Sequence, residues 1–279
     1  MIVTVIPSGA ALGAEIAGVD LAKDIDDGTF NKIDDAFAKH AVIFFRSQSI
    51  TPAQLLKFSR RFGELESIHV AKESLLQGYP EILIISNIIE NGRPIGLVDA
   101  GGKWHSDFAH MAEPSRCSIL HALEVPFKDG KPLGSTLFAS TTAAYDALSA
   151  GMKARLDGLK AAFRNPRLRL IGNADLLRNT PDAIHPVIRT HPVTRRKCIY
   201  ANEGVTAGIV GMPDDESRPL LEEIFRHQSR TEFVYRHDWR AGDVLVGDNC
   251  SAQHRAIFDY ALPQRRLMHR TTVKGSVPF

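Results

Sequence analysis

The apolar positions of this chain cluster in short runs, and each run predicts a short element. Ala41-Val-Ile-Phe-Phe45 is a compact apolar run of strand type. Thr51 then opens a helix. Thr51 and Gln54 form a capping box, and Pro52 takes the first helical position, where a missing N–H costs nothing. Leu55, Phe58 and Phe62 follow at helical spacing, and Gly63 stops the helix. Ile82-Leu-Ile-Ile85 reads as a buried strand. Asp214 to Gln228 is a second clear helix, with Leu220, Leu221, Ile224 and Phe225 on one face. Beyond it the pattern is strand-like over Phe233–Tyr235, Asp243–Val246 and Arg266–Val273.

Many short strands with few helices predict a mostly β fold, a sandwich or barrel with helices packed outside. A doubly wound α/β sheet needs strands and helices in regular alternation, and the second half lacks that rhythm. Walker A, GxGxxG and GxSxG sequences are absent. Pro and Gly are scattered, and neither a linker nor a repeat interrupts the chain, so residues 1–279 read as one domain.

Composition narrows the partners. Of 279 residues, 44% are hydrophobic and 24% charged, an ordinary globular balance. A net charge of +2 is too small to call for nucleic acid or a membrane surface. Cys117, Cys198 and Cys250 are too few and too far apart for a disulfide framework or a zinc cluster, so a reducing cytoplasm is expected. The first residues lack the basic-then-apolar pattern of a signal peptide, and no apolar stretch approaches the roughly 18 residues of a membrane span.

The chemistry concentrates at Trp104-His105-Ser106-Asp107. On an extended segment, His105 and Asp107 project to the same side. Two ligands hold a metal poorly, and the best third candidate is His254, just after the strand Asp243–Val246. Two imidazoles and one carboxylate leave open positions on a metal, as in non-haem Fe(II) oxygenases. The same set also serves catalytic zinc. The plain alternative is a loop histidine beside a turn aspartate. Arg266 and Arg270 add weight, because an even spacing places them on one face of a strand. Two guanidiniums on one face call for anions, and arginine suits bidentate carboxylate recognition. A solvated basic edge strand is the alternative there.

Taken in order, these pieces resemble the Fe(II)/2-oxoglutarate-dependent taurine dioxygenase (TauD/TfdA) family, which includes the aryloxyalkanoate dioxygenases. The likeness runs through Gly13-Ala-Glu-Ile-Ala-Gly-Val-Asp-Leu21, His40-Ala-Val-Ile-Phe-Phe-Arg46 and Arg60-Arg-Phe-Gly63. It continues through Trp104-His105-Ser-Asp107, Gly134-Ser-Thr136-Leu, Gly242 to Ala256 and Leu262 to Arg270. The resemblance implies a double-stranded β-helix (jelly roll, cupin-like) with flanking helices. It implies that His105, Asp107 and His254 bind Fe(II), and that Thr136 and Arg266 hold the far carboxylate of 2-oxoglutarate. Arg270 would meet an anionic group of the substrate. With O2, 2-oxoglutarate would become succinate and CO2 while a small organic anion is hydroxylated: a sulfonate, an aryloxyalkanoate or a similar carboxylate. The carboxylate of Asp107 disfavours halogenation, because related halogenases carry a small residue there so that chloride can bind iron. Relatives commonly form dimers or tetramers, so a homo-oligomer is expected.

Some positions stay open. Counting forward from His254 could select Arg265 instead of Arg266. His69 resembles a substrate-contacting histidine of the taurine enzymes, whereas Gly92-Arg-Pro-Ile-Gly96 with Gly102 looks more like the aryloxypropionate branch. Gly101 stands where the taurine enzymes are expected to place a polar residue. Asn202-Glu-Gly-Val-Thr206 resembles a pocket-shaping loop, His110 and Phe108 are candidate pocket walls, and Trp239 reads as packing. Cys250 reads as a small buried residue and not a nucleophile. Two other functions compete: a metal-dependent hydrolase on a cupin-like barrel, using a metal-bound water, and a non-catalytic jelly-roll protein sensing a dicarboxylate.

Overall fold

The computed structural model describes residues 2–66, 72–98, 101–165 and 181–279. Its centre is an eight-stranded sheet. In spatial order the strands are Thr4–Pro7, Ala14–Ala17, Val42–Phe45, Val244–Asp248, Ser115–Glu124, Leu267–Lys274, Tyr79–Ser86 and Leu75–Leu76. Neighbours run antiparallel except Ala14–Ala17 beside Val42–Phe45, which are parallel. A smaller antiparallel sheet places Thr136–Ser140 between Val234–His237 and Ala252–Ala256. The mostly strand architecture with a few helices agrees with the sequence pattern.

Alternation along the strands sorts the layers. Ile43, Phe45, Ile119, Val244, Val246 and Val273 point to one face of the large sheet, where Ile33, Leu55 and Phe58 of two helices cover them. Val42, Phe44, Leu83, Ile85, Leu245 and Met268 point to the other face and pack with Phe138 and Ala252 of the small sheet and with Trp239. The space between the two sheets is therefore walled by buried apolar side chains before any chemistry is placed in it.

The helix Pro52–Ser59 forms as its sequence requires. Thr51 Oγ1 accepts the Gln54 N–H at 3.3 Å, and Gln54 Oε1 accepts the Thr51 N–H at 2.8 Å. Its expected last turn tightens into a 3-10 turn over Arg60–Phe62 before Gly63, at φ 143°, turns the chain. A further helix, Asp27–His40, was not read from the sequence. Asp26 caps it by accepting the Thr29 N–H at 2.8 Å, and Ala41, left-handed at φ 59°, ends it. The helix Asp214–Gln228 matches the expected bounds and buries Leu220, Leu221 and Ile224 against Phe163 and Ile209 of a third sheet. The segment read as a strand from Phe233 starts one residue later, because Thr231–Phe233 is a 3-10 turn. No helix among the described residues is long and apolar enough to cross a membrane.

Candidate active site

His254 lies on the small sheet opposite Phe138. A single antiparallel bridge joins it to His105: the His105 N–H donates to the His254 carbonyl at 3.1 Å, and the His254 N–H donates back at 2.9 Å. Two imidazoles from opposite ends of the chain thus become neighbours, with ring centroids 4.2 Å apart. Asp107 closes the triangle. Its Oδ1 is 3.7 Å from His105 Nε2, and its Oδ2 is 3.9 Å from His254 Nε2. One donor atom from each residue falls within 4.8 Å of the others.

The expected common extended segment is corrected here: only His105 is extended. The chain turns from Asp107 onward, and Phe108 is left-handed at φ 55°. Asp107 reaches the same point because its backbone is tied across the sheet. Its N–H donates to Asn249 Oδ1 at 3.1 Å, and its carbonyl accepts the Ser115 hydroxyl at 2.8 Å.

The protonation states suit a cation. His105 Nδ1 lies 2.8 Å from the Lys103 carbonyl, so Nδ1 carries a hydrogen and Nε2 is the nitrogen turned toward Asp107. Burial, helped by the nearby His105, pushes His254 down to about 3, so it is neutral at pH 7. Burial alone would raise the Asp107 carboxyl. Arg270, with the hydrogen bond from His105, outweighs it and holds the group well below the usual carboxylate range. A neutral His254 imidazole and an ionised Asp107 carboxylate are therefore in the states that ligate a cation. The loop singled out at Asn202–Thr206 backs this arrangement. The Gly204 N–H donates to the Trp104 carbonyl at 2.9 Å, and a Cβ on Gly204 would come within 2.8 Å of His105 Cβ.

The two candidate arginines part company. Arg265 points outward and pairs with Glu124 at 2.8 and 3.0 Å. Arg266 is 4% exposed, its Nε has no partner, and among the described residues no carboxylate pairs with it. Leaving a buried guanidinium uncompensated costs several kcal/mol, so the site fits an incoming anion. Thr136, also buried, accepts the Trp239 indole N–H at 3.0 Å. An indole only donates, so Thr136 keeps its own O–H to give. Trp239 is packed as expected, at 0% exposed, and also orients this hydroxyl. Arg270 reaches the same space, where its Nη1 donates to both Asp107 oxygens at 3.2 and 3.3 Å. These residues line a cleft whose apolar walls include Ile85, Leu120 and Phe138.

His69 lies outside the described residues. His110 lies tilted beside Phe108, with ring centroids 6.1 Å apart. Cys250 is buried, and burial beside Asp248 pushes its thiol well up, which agrees with a non-nucleophilic role. It belongs to a second acid–imidazole–thiol cluster with His191 and Asp248. There His191 Nδ1 accepts the Val193 and Thr194 N–H groups at 3.1 and 3.0 Å, so its hydrogen sits on Nε2 and is donated to Asp248 at 3.0 Å. That is a satisfied hydrogen bond and not a metal site. Asn249, Ser115 and Ser118 were missed by sequence reasoning; the only hint was that Asn249 falls inside the block carrying His254.

Comparison with known proteins places these features in company. The sequence model of the "Taurine catabolism dioxygenase TauD, TfdA family" matches residues 4–272. Pentalenolactone F synthase of Streptomyces arenae is 33% identical over 97% of this chain and 94% of its own length. The alpha-ketoglutarate-dependent 2,4-dichlorophenoxyacetate dioxygenase of Cupriavidus pinatubonensis is 31% identical over 95% of this chain and 96% of its own. The crystal structure of AAD-2 in complex with Mn(II) and N-oxalylglycine superposes with a TM-score of 0.85 at 29% identity, covering 100% of this chain and 98% of that one.

Proposed function

The chain belongs to the TauD/TfdA family of alpha-ketoglutarate-dependent dioxygenases, and on that premise we propose that it uses Fe(II), 2-oxoglutarate and O2 to hydroxylate a small organic anion. Residues 1–279 form one such domain in this reading, since the family match runs nearly end to end. The two facing sheets are the halves of a double-stranded β-helix. The observation that carries the proposal is a cleft holding both a two-histidine, one-carboxylate triad and a buried guanidinium without an acidic partner. A hydrolase built on the same ligands gives Arg266 nothing to bind, and the relatives lend it no support.

His105 and His254 through Nε2, with Asp107, would hold the metal. An N/O set with open positions suits Fe(II). When bound, the iron supplies O2 activation coupled to conversion of 2-oxoglutarate to succinate and CO2. The chain's own residues do the positioning. Arg266 and the Thr136 hydroxyl grip the far carboxylate of the co-substrate, Trp239 aims that hydroxyl, and Phe138, Leu120 and Ile85 exclude water around it. Arg270 stands where an anionic substrate group could compete with Asp107 for its N–H donors. A sulfonate, an aryloxyalkanoate or a related carboxylate fits this charge. The aryloxyalkanoate class is favoured by the 2,4-dichlorophenoxyacetate and phenoxypropionate relatives.

Anaerobic addition of Fe(II) and 2-oxoglutarate is expected to give a weak visible charge-transfer band that is absent in His105→Ala. Aerobic turnover with sulfonates and aryloxyalkanoates is expected to consume O2 and release succinate. No band, and no succinate with any member of the panel, would sink the proposal.

A further inference from the structure

Asp107 is held by a closed hydrogen-bond ring that the family's ligand set does not include. Asn249 Nδ2 donates to Ser115 Oγ at 3.0 Å and to Ser118 Oγ at 3.1 Å. Each serine then has one hydrogen left to give. Ser115 gives it to the Asp107 carbonyl at 2.8 Å, and Ser118 gives it to Asp107 Oδ2 at 2.6 Å. Asn249 Oδ1 accepts the Asp107 N–H at 3.1 Å, which closes the ring. All four residues are buried.

The direction of every bond is determined. Flipping the Asn249 amide would set its nitrogen against the Asp107 N–H and leave both serine oxygens without their donor. The ring is also rigid on its outer side. The Asn249 N–H is fixed to the Arg116 carbonyl at 2.9 Å, and the turn is braced by Asp248, which accepts the Cys250 N–H at 2.7 Å and the His191 Nε2–H at 3.0 Å.

We infer that Asn249 and Ser118 are positioning residues that set the Asp107 carboxylate for metal binding. Oδ2 receives both Ser118 and Arg270, whereas Oδ1 receives only Arg270. Oδ1 is thus the oxygen with a lone pair to spare, and the carboxylate cannot rotate to exchange the two without breaking the Ser118 bond. Ser115 holds only the main chain. The inference rests on the metal assignment made above and adds to it which side chains orient the carboxylate ligand.

The test is Mn(II) titration of the metal-free protein by calorimetry, with no co-substrate, alongside the melting temperature of each metal-free variant. Ser118→Ala is expected to weaken Mn(II) binding about tenfold, and Asn249→Ala by about ten- to a hundredfold, the range typical of lost outer partners. Ser115→Ala is expected to weaken it less than Ser118→Ala. Co(II) ligand-field bands report the donor set and not global stability, so they should shift in Ser118→Ala and stay in place in Ser115→Ala. Mn(II) affinities of Ser118→Ala and Asn249→Ala within about twofold of wild type, where tenfold or more is expected, would overturn the inference. Should Asn249→Ala fail to fold, Ser118→Ala decides alone. A wild-type protein that takes up no Mn(II) brings down the metal assignment itself, which is a distinct result.

Discussion

Adjacent arginines meet opposite fates at the mouth of the last long strand. Arg265 makes an exposed ion pair with Glu124, a kind of contact worth roughly 0–1 kcal/mol. Arg266 is buried, and its charge waits for an acid. Arg266→Ala is therefore expected to raise KM for 2-oxoglutarate about a hundredfold, the loss of a charge-assisted contact of about 3 kcal/mol. Arg265→Ala should change it by less than about twofold, as befits a surface pair. Succinate release at varied 2-oxoglutarate reads both, and equal losses would contradict the assignment. The chain order alone offered both arginines. Which one turns inward depends on Glu124, and on Asn87 Oδ1, which accepts the Arg266 N–H at 2.9 Å from across the sheet. No local pattern reports either contact.

At the scale of elements, local chemistry was the reliable guide. The capping box at Thr51 is present with both of its bonds, and the helix Asp214–Gln228 begins and ends where its apolar stripe required. Thr51→Ala is expected to lower stability by about 1 kcal/mol. Asp26→Ala, which removes a shorter cap bond and a second one to the Thr29 hydroxyl, should lower it more. Urea midpoints of the two variants give the order directly, and a silent Asp26→Ala would show that the helix Asp27–His40 stands on packing alone. The strand Ser115–Glu124 had no comparable signature. It lies in the middle of the large sheet with both faces covered, and its buried Ser118 and His121 break the apolar pattern that marks a strand. Ser118 is there because its face looks into the cleft, whereas His121 lies on the opposite, helix-covered face beside Val244.

Across the whole molecule, the packed layers hold several histidines neutral. Burial pushes His269 down to about 4, and burial likewise lowers His185 and His237. His237 is 0% exposed, and its burial outweighs the Asp243 carboxylate 3.2 Å from Nε2, which favours the charged form. The unfolded chain takes up these protons near the ordinary histidine pKa and the folded chain does not. Stability is then fully present above about pH 6.5 and falls as the pH drops through the window toward 4. His269 alone accounts for about 2 kcal/mol at pH 5 on this linkage. The lowered Asp107 and Asp248 carboxyls act only below the usual aspartate range, so they do not offset this loss. Metal-free urea unfolding at pH 7 and pH 5 tests the sign. Equal stability at the two values would mean that the buried histidines titrate in the folded state.

The sequence by itself determined the inventory: a mostly β chain, two capped or striped helices, one His-x-Asp pair, a later histidine and an inward-capable arginine pair. Helix caps and apolar periodicity depend on contacts a few residues apart, so they can be read along the line. Only the tertiary structure decided that His254 bridges His105, that Arg266 and not Arg265 is buried, and that Asn249 ties Asp107 in place. Those outcomes follow from strand register across two sheets, and register is set by how the buried faces pack together.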